Sequence, residues 1–129
     1  MTWLTAILKE LERPDDQGRD WYGWATNQMS HGLLGVAGVA VIMAAVLPFV
    51  ALGIVLALAA IKEGHDLAKG GRFKDSAQDF AFQSLGGVLA LALMTQDQVA
   101  AWATVGVFTL GLLGGVIPRA RRALTQTPL

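Results

Sequence analysis

Hydrophobic positions in this 129-residue chain fall in long uncharged runs, not in strict alternation. No Asp, Glu, Lys or Arg occurs over 32–61, 80–95 or 98–118. A membrane-spanning helix needs about 20 apolar residues, because about 30 Å of hydrocarbon is crossed at about 1.5 Å per residue. Runs without period-two alternation exclude a transmembrane barrel. The pattern predicts an all-α integral membrane bundle of about four transmembrane helices, preceded by an N-terminal amphipathic helix at the interface.

The boundaries follow from breakers and caps. Over 1–13, Trp3, Leu4, Ile7, Leu8 and Leu11 share one helical face, and Lys9, Glu10, Glu12 and Arg13 take the other. This predicts an interfacial helix ended by Pro14, then a linker over 14–23. The transmembrane domain is expected over 24–118. The run 31–61 is too long for one upright span, and Pro48 sits near its middle. A turn at Pro48 gives helices over 24–47 and 49–68; the alternative is one kinked span. Gly70 and Gly71 close the second helix. Asp75, with Gln78 three residues later, reads as a capping box opening a third helix over 76–94. A polar turn at 95–97 leads to a fourth over 98–117. Pro118 is expected to stop it, leaving a basic tail over 119–129.

Charge supports the turn at Pro48. Every Lys and Arg lies in the N-terminal segment, at the end of the second helix and the loop after it, or after Pro118. With four spans these three regions share one side, which the positive-inside rule makes cytoplasmic, together with both termini. Trp3, Trp21, Tyr22 and Trp24 are expected at the membrane interface. Lys62, Lys69, Arg72, Lys74, Arg119, Arg121 and Arg122 are expected to meet lipid headgroups. Gly53, Gly86, Gly111 and Gly115, each four residues from another small residue, are candidates for close helix packing.

Composition adds limits. The hydrophobic fraction is 53%, and ten basic residues balance ten acidic ones, which argues against nucleic acid as a partner. No cysteine is present, so thiol chemistry and disulfides are excluded. No continuous apolar stretch or small-residue cleavage site marks the first residues as a cleaved signal peptide.

The candidate chemistry gathers at the basic side of the four-span layout. Asn27 and His31 lie four apart at the start of the first helix. Glu63 and Asp66 end the second, and Asp79 and Gln83 step along the third. Ionisable groups in a bilayer are costly and usually face the bundle interior or water. These six residues form one polar cluster, either a structural lock between helices or a binding site.

Glu63, then Arg72, then Asp79 with Gln83 and Gly86, resembles the VanZ-like family of small bacterial membrane proteins. The Lys62-Glu63-x-x-Asp66 run, the Asp75-x-x-x-Asp79 pair and His31 are similar to the YfiM-type family. The resemblance covers about 20–93 and implies a polytopic protein of the bacterial inner membrane, bacterial or phage-encoded. Gln83 stands where VanZ-like proteins usually carry asparagine, Asn27 where an aspartate often precedes the histidine, and the YfiM lipoprotein cysteine is absent. No reaction is implied.

Two functions are compatible with these features. One is a structural or interaction role, holin-like in one version, exercised through membrane lipids, a homo-oligomer or a membrane partner. The other is binding of a lipid headgroup or metal at the cluster. No cofactor is indicated, but a metal at His31, Glu63 and Asp79 stays open. His-Glu-x-x-His and cysteine spacings are absent, and Ser30 next to His31 lies on another face. An enzyme is therefore the less expected reading.

Overall fold

The structure, a computed structural model, describes residues 20–125. The proposed helix over 1–13, Trp3, most of the linker and the last residues of the tail lie outside the described residues. The described chain is all helical: α1 (Trp21–Ile42), α2 (Pro48–Ala68), α3 (Phe73–Met94) and α4 (Gln98–Thr125). Helices α2, α3 and α4 are long and apolar enough to cross a membrane. Helix α1 equals α3 in length at 22 residues, but Asn27, Gln28 and His31 lower the hydropathy of its first half.

Each junction has a local cause. Asp20 caps α1, its carboxylate accepting from Tyr22 N–H at 3.0 Å. Helix α1 stops at Ile42, short of the expected 47, and Met43–Leu47 forms a turn ahead of Pro48. Pro48 sits in the first turn of α2, where its missing N–H costs nothing, so the proline starts a new helix and does not kink a continuous one. Helix α2 closes with Gly70 at φ 93°, where Gly71 N–H bonds the Asp66 carbonyl and Gly70 N–H that of Leu67. Helix α3 begins at Phe73, so Asp75 lies inside the first turn and is not its cap. The α3–α4 turn repeats the glycine geometry with Gln96 at φ 59°. Asp97 then caps α4, accepting from Ala100 N–H at 2.9 Å.

Helix α4 corrects one expectation. It runs through Pro118 to Thr125, so 119–125 continues the helix and is not a tail beyond a helix ended at Pro118. Pro118 offers no N–H to the Gly114 carbonyl. One residue on, Arg119 Nη1 donates to the Gly115 carbonyl at 3.1 Å.

The helices run up, down, up, down. Helix α3 is central and packs against the other three, most extensively α1. Helices α1 and α3 run parallel at close range, because Gly32 and Gly35 face Gly86 and Gly87. A Cβ on Gly35 would meet the Gln83 carbonyl, and one on Gly86 the Gly32 carbonyl. Glycine at these positions permits backbone contact. Val39, Ala51, Val55 and Ala90 form the apolar core at the charge-poor end.

Candidate functional site

The buried face of α1 is Trp24, Gln28, His31, Gly32, Gly35 and Val39. Steps of three and four place these residues on one side of the helix. The face is polar in the first turns and apolar after them. The buried face of α2 is Ala51, Val55, Ala59 and Glu63, at a uniform spacing of four. The antiparallel course of α2 carries Glu63 to the same end as His31, and the start of α3 brings Asp79 there.

Asp79 is the hub. Gln28 Nε2 donates to its Oδ1 at 2.8 Å, and Asn27 Nδ2 reaches the same oxygen at 3.4 Å. His31 Nε2 lies 3.3 Å from Oδ2. Glu63 is 5% exposed and pairs with Lys62 at 2.7 Å. Lys62 also reaches Asp66 at 3.0 Å. One imidazole nitrogen and one oxygen each from Glu63 and Asp79 lie within 4.8 Å of one another. Among the described residues, five buried side-chain atoms have no hydrogen-bond partner, including His31 Nδ1, Gln28 Oε1 and Gln83 Oε1.

The structure thus brings Asn27, His31, Glu63 and Asp79 together. Asp66 joins through Lys62, and Gln83 sits one turn further along α3 with its backbone carbonyl against Gly35. Gln28 is a central member that the sequence reading passed over. It is 2% exposed, and its 24-28-31-35 spacing marks it as a seam residue, whereas Asn27 lies at the seam's edge.

The basic residues divide. Lys69, Arg72, Lys74, Arg121 and Arg122 are exposed at the cluster's end of the bundle, with Arg72 3.7 Å from Asp75. Arg119 is not a headgroup contact: it is 8% exposed, its guanidinium 4.3 Å from the centre of the Trp24 ring. Trp24 is correspondingly no interface aromatic. It is 4% exposed and meets Phe82 edge to face, because the absent side chain of Gly115 leaves room for its ring. Trp21 and Tyr22 do face outward. Gly86, Gly111 and Gly115 pack against α1, Phe82 and Trp24, whereas Gly53 has nothing within 4 Å.

Among the described residues, the arrangement offers ligands and proton carriers. Ser30 is exposed and donates to the Thr26 carbonyl at 2.9 Å, away from the imidazole. No family model matches the chain, and neither the curated proteins nor the solved structures contain a match.

Proposed function

We propose that this chain is a four-span protein of the bacterial inner membrane with a structural or assembly role, its helices tied by the polar cluster and its outer face meeting lipid and a second copy. The observation that carries this reading is an inversion of the soluble pattern. The interior holds small or polar side chains such as Ala51, Ala59, Ala90, Gln28, His31 and Glu63, whereas Leu33, Phe49, Ile61, Trp102 and Leu110 are 68–74% exposed. A surface of that kind is insoluble in water and at home in acyl chains.

Helix α1 serves as the fourth span. Its 22 residues reach about 33 Å; Asn27, Gln28 and His31 turn inward to Asp79, while the exposed Thr26 and Ser30 hydroxyls donate to carbonyls of their own helix. The end bearing Lys69, Arg72, Lys74, Arg121 and Arg122 faces the cytoplasm by the positive-inside rule and contacts anionic headgroups. The VanZ-like and YfiM-like resemblance is consistent with this layout, since Glu63, Asp79 and Gly86 are all interior.

Assembly is supported by α2. Gly53, Ala57, Ala60 and Gly64 step by four, three and four along its exposed side, and neither glycine has anything within 4 Å. Small side chains let helices of two chains approach closely in lipid; a holin-like protein would act through such contacts. The test exploits the lack of cysteine. Ala57→Cys in bacterial membranes should give a disulfide-linked dimer on mild oxidation, and Ala44→Cys, in the α1–α2 turn, should not. A chain released from membranes by alkaline carbonate would refute the spanning reading. An Ala57→Cys variant that stays monomeric in the membrane would refute assembly alone.

A further inference from the structure

Two carboxylates from different helices, Glu63 and Asp79, meet beside His31 in the interior of the bundle. Lys62 bridges Glu63 and Asp66, while Asp79 faces His31, which is charged only if protonated. Lys62 and Asp66 are about half exposed, at 48% and 43%, so the interior carboxylates are Glu63 and Asp79, and with a neutral imidazole neither has a fully buried cation beside it. Ions in such surroundings are strongly penalised unless paired.

We propose that His31, Glu63 and Asp79 bind one divalent first-row transition-metal ion. The donors come from three helices, and one atom of each lies within 4.8 Å of the others. Metal–ligand bonds of about 2.0–2.2 Å set donor atoms about 3.4 Å apart in a tetrahedron. His31 Nε2 and Asp79 Oδ2 stand at 3.3 Å, whereas a charge-assisted hydrogen bond closes to about 2.7–2.9 Å.

Independent observations point to a ligand. The His31 side chain is 9% exposed, and its Nδ1 is buried with no partner. Gln28, which donates to Asp79, keeps a buried carbonyl oxygen with no donor. Glu63 is buried at the meeting point of α1, α2 and α3, yet among the described residues its only bond is to Lys62 of its own helix. A divalent ion would offset the two carboxylates and join Glu63 to the other two helices. The imidazole sets the class, because nitrogen ligands favour zinc, iron or nickel over magnesium and calcium. This inference goes beyond the assembly reading and holds whether or not chains pair through α2.

The test uses the full chain in detergent, stripped with EDTA and titrated calorimetrically with Zn²⁺, Mn²⁺ or Mg²⁺ alone. Zn²⁺ or Mn²⁺ should bind at one ion per chain and raise Tm, with EDTA reversing the rise and Mg²⁺ giving neither effect. His31→Ala and Glu63→Gln should each weaken binding by about 100-fold or more, with helical content retained. His65→Ala, at an exposed histidine outside the site, should bind as the parent does. If the folded parent takes up neither ion to about 1 mM, the proposal is wrong. It is equally wrong if binding survives His31→Ala or Glu63→Gln, or is lost with His65→Ala. The parent's metal-dependent Tm decides the matter if a variant fails to fold.

Discussion

The space where Gly86 would carry a Cβ is filled by the backbone carbonyl of Gly32. The nearest atoms after that oxygen are the Gly32 carbonyl carbon at 2.7 Å and Cα at 3.0 Å. All are backbone, so no rotamer change can make room. Gly86→Ala should therefore push α1 away from α3 and cost about 1–3 kcal/mol. Gly106→Ala adds the same methyl where nothing lies within 4 Å of it, and should be neutral or gain up to about 1 kcal/mol from helix propensity. Denaturation in mixed micelles distinguishes the two. Equal effects would mean that the α1–α3 backbone contact is not made.

Asp79 should matter more than any one of its donors. Asp79→Ala strands Gln28, 2% exposed, and His31 together, and a buried group left without a partner costs about 1–3 kcal/mol. Asn27→Ala removes one long contact of 3.4 Å from a half-buried residue. Its loss should be near the about 0.6 kcal/mol typical of an interhelical hydrogen bond in lipid. Unfolding measurements on the two variants test the ranking, and a larger loss for Asn27→Ala would contradict Asp79 as the hub.

Arg119 and Arg121 are two residues apart and should respond differently. Arg119 lies over Trp24 and donates to the Gly115 carbonyl, whereas Arg121 is exposed. A desolvated cation–π contact is worth about 2 kcal/mol and an exposed one about 0.5–1 kcal/mol. Against this, releasing a buried cation recovers some desolvation. The ring contact and the carbonyl bond act together, so Arg119→Ala should lose about 1–2 kcal/mol. Arg121→Ala should stay within about 0.5 kcal/mol of the parent. Stability measured in detergent would contradict the interior role of Arg119 if the two variants matched.

The helices were legible because long apolar helices leave a coarse signal: uncharged runs broken by Pro48, Gly70-Gly71 and Asp97. The juxtaposition of His31, Glu63 and Asp79 followed from antiparallel order alone, since α2 must return its C-terminal end to the start of α1. What escaped was which side of each helix faces inward. Where the outer face and the core are both apolar, hydropathy does not distinguish them, so Trp24 read as an interface residue and Gln28 went unnoticed. Small residues carry the same ambiguity: Gly53 and Gly86 look alike in sequence, yet one faces out and the other touches a backbone. Arg119 was read as a tail residue because Pro118 ordinarily ends a helix. Its ring partner lies 95 residues earlier in the chain, and no local rule links the two.

One helix end repeats another with a different residue at the critical position. After α2, Gly71 N–H bonds the Asp66 carbonyl at 2.9 Å and Gly70 N–H that of Leu67 at 3.0 Å. After α3, Asp97 N–H bonds the Ala92 carbonyl at 2.8 Å and Gln96 N–H that of Leu93 at 3.2 Å. The hydrogen-bond pattern is shared, and the residue at its turning point has positive φ in both, 93° at Gly70 and 59° at Gln96. Glycine adopts this region freely, whereas a side chain there costs about 1–2 kcal/mol. Gln96→Gly should therefore stabilise the protein by about 1 kcal/mol, less some backbone entropy in the unfolded chain. Gly70→Gln should destabilise it by about 1–2 kcal/mol, although nothing lies within 4 Å of the new Cβ. The opposite signs arise from backbone conformation, because neither site is buried. Thermal unfolding of the pair in one detergent measures both, and a shift of the same sign in both variants would contradict a shared left-handed cap.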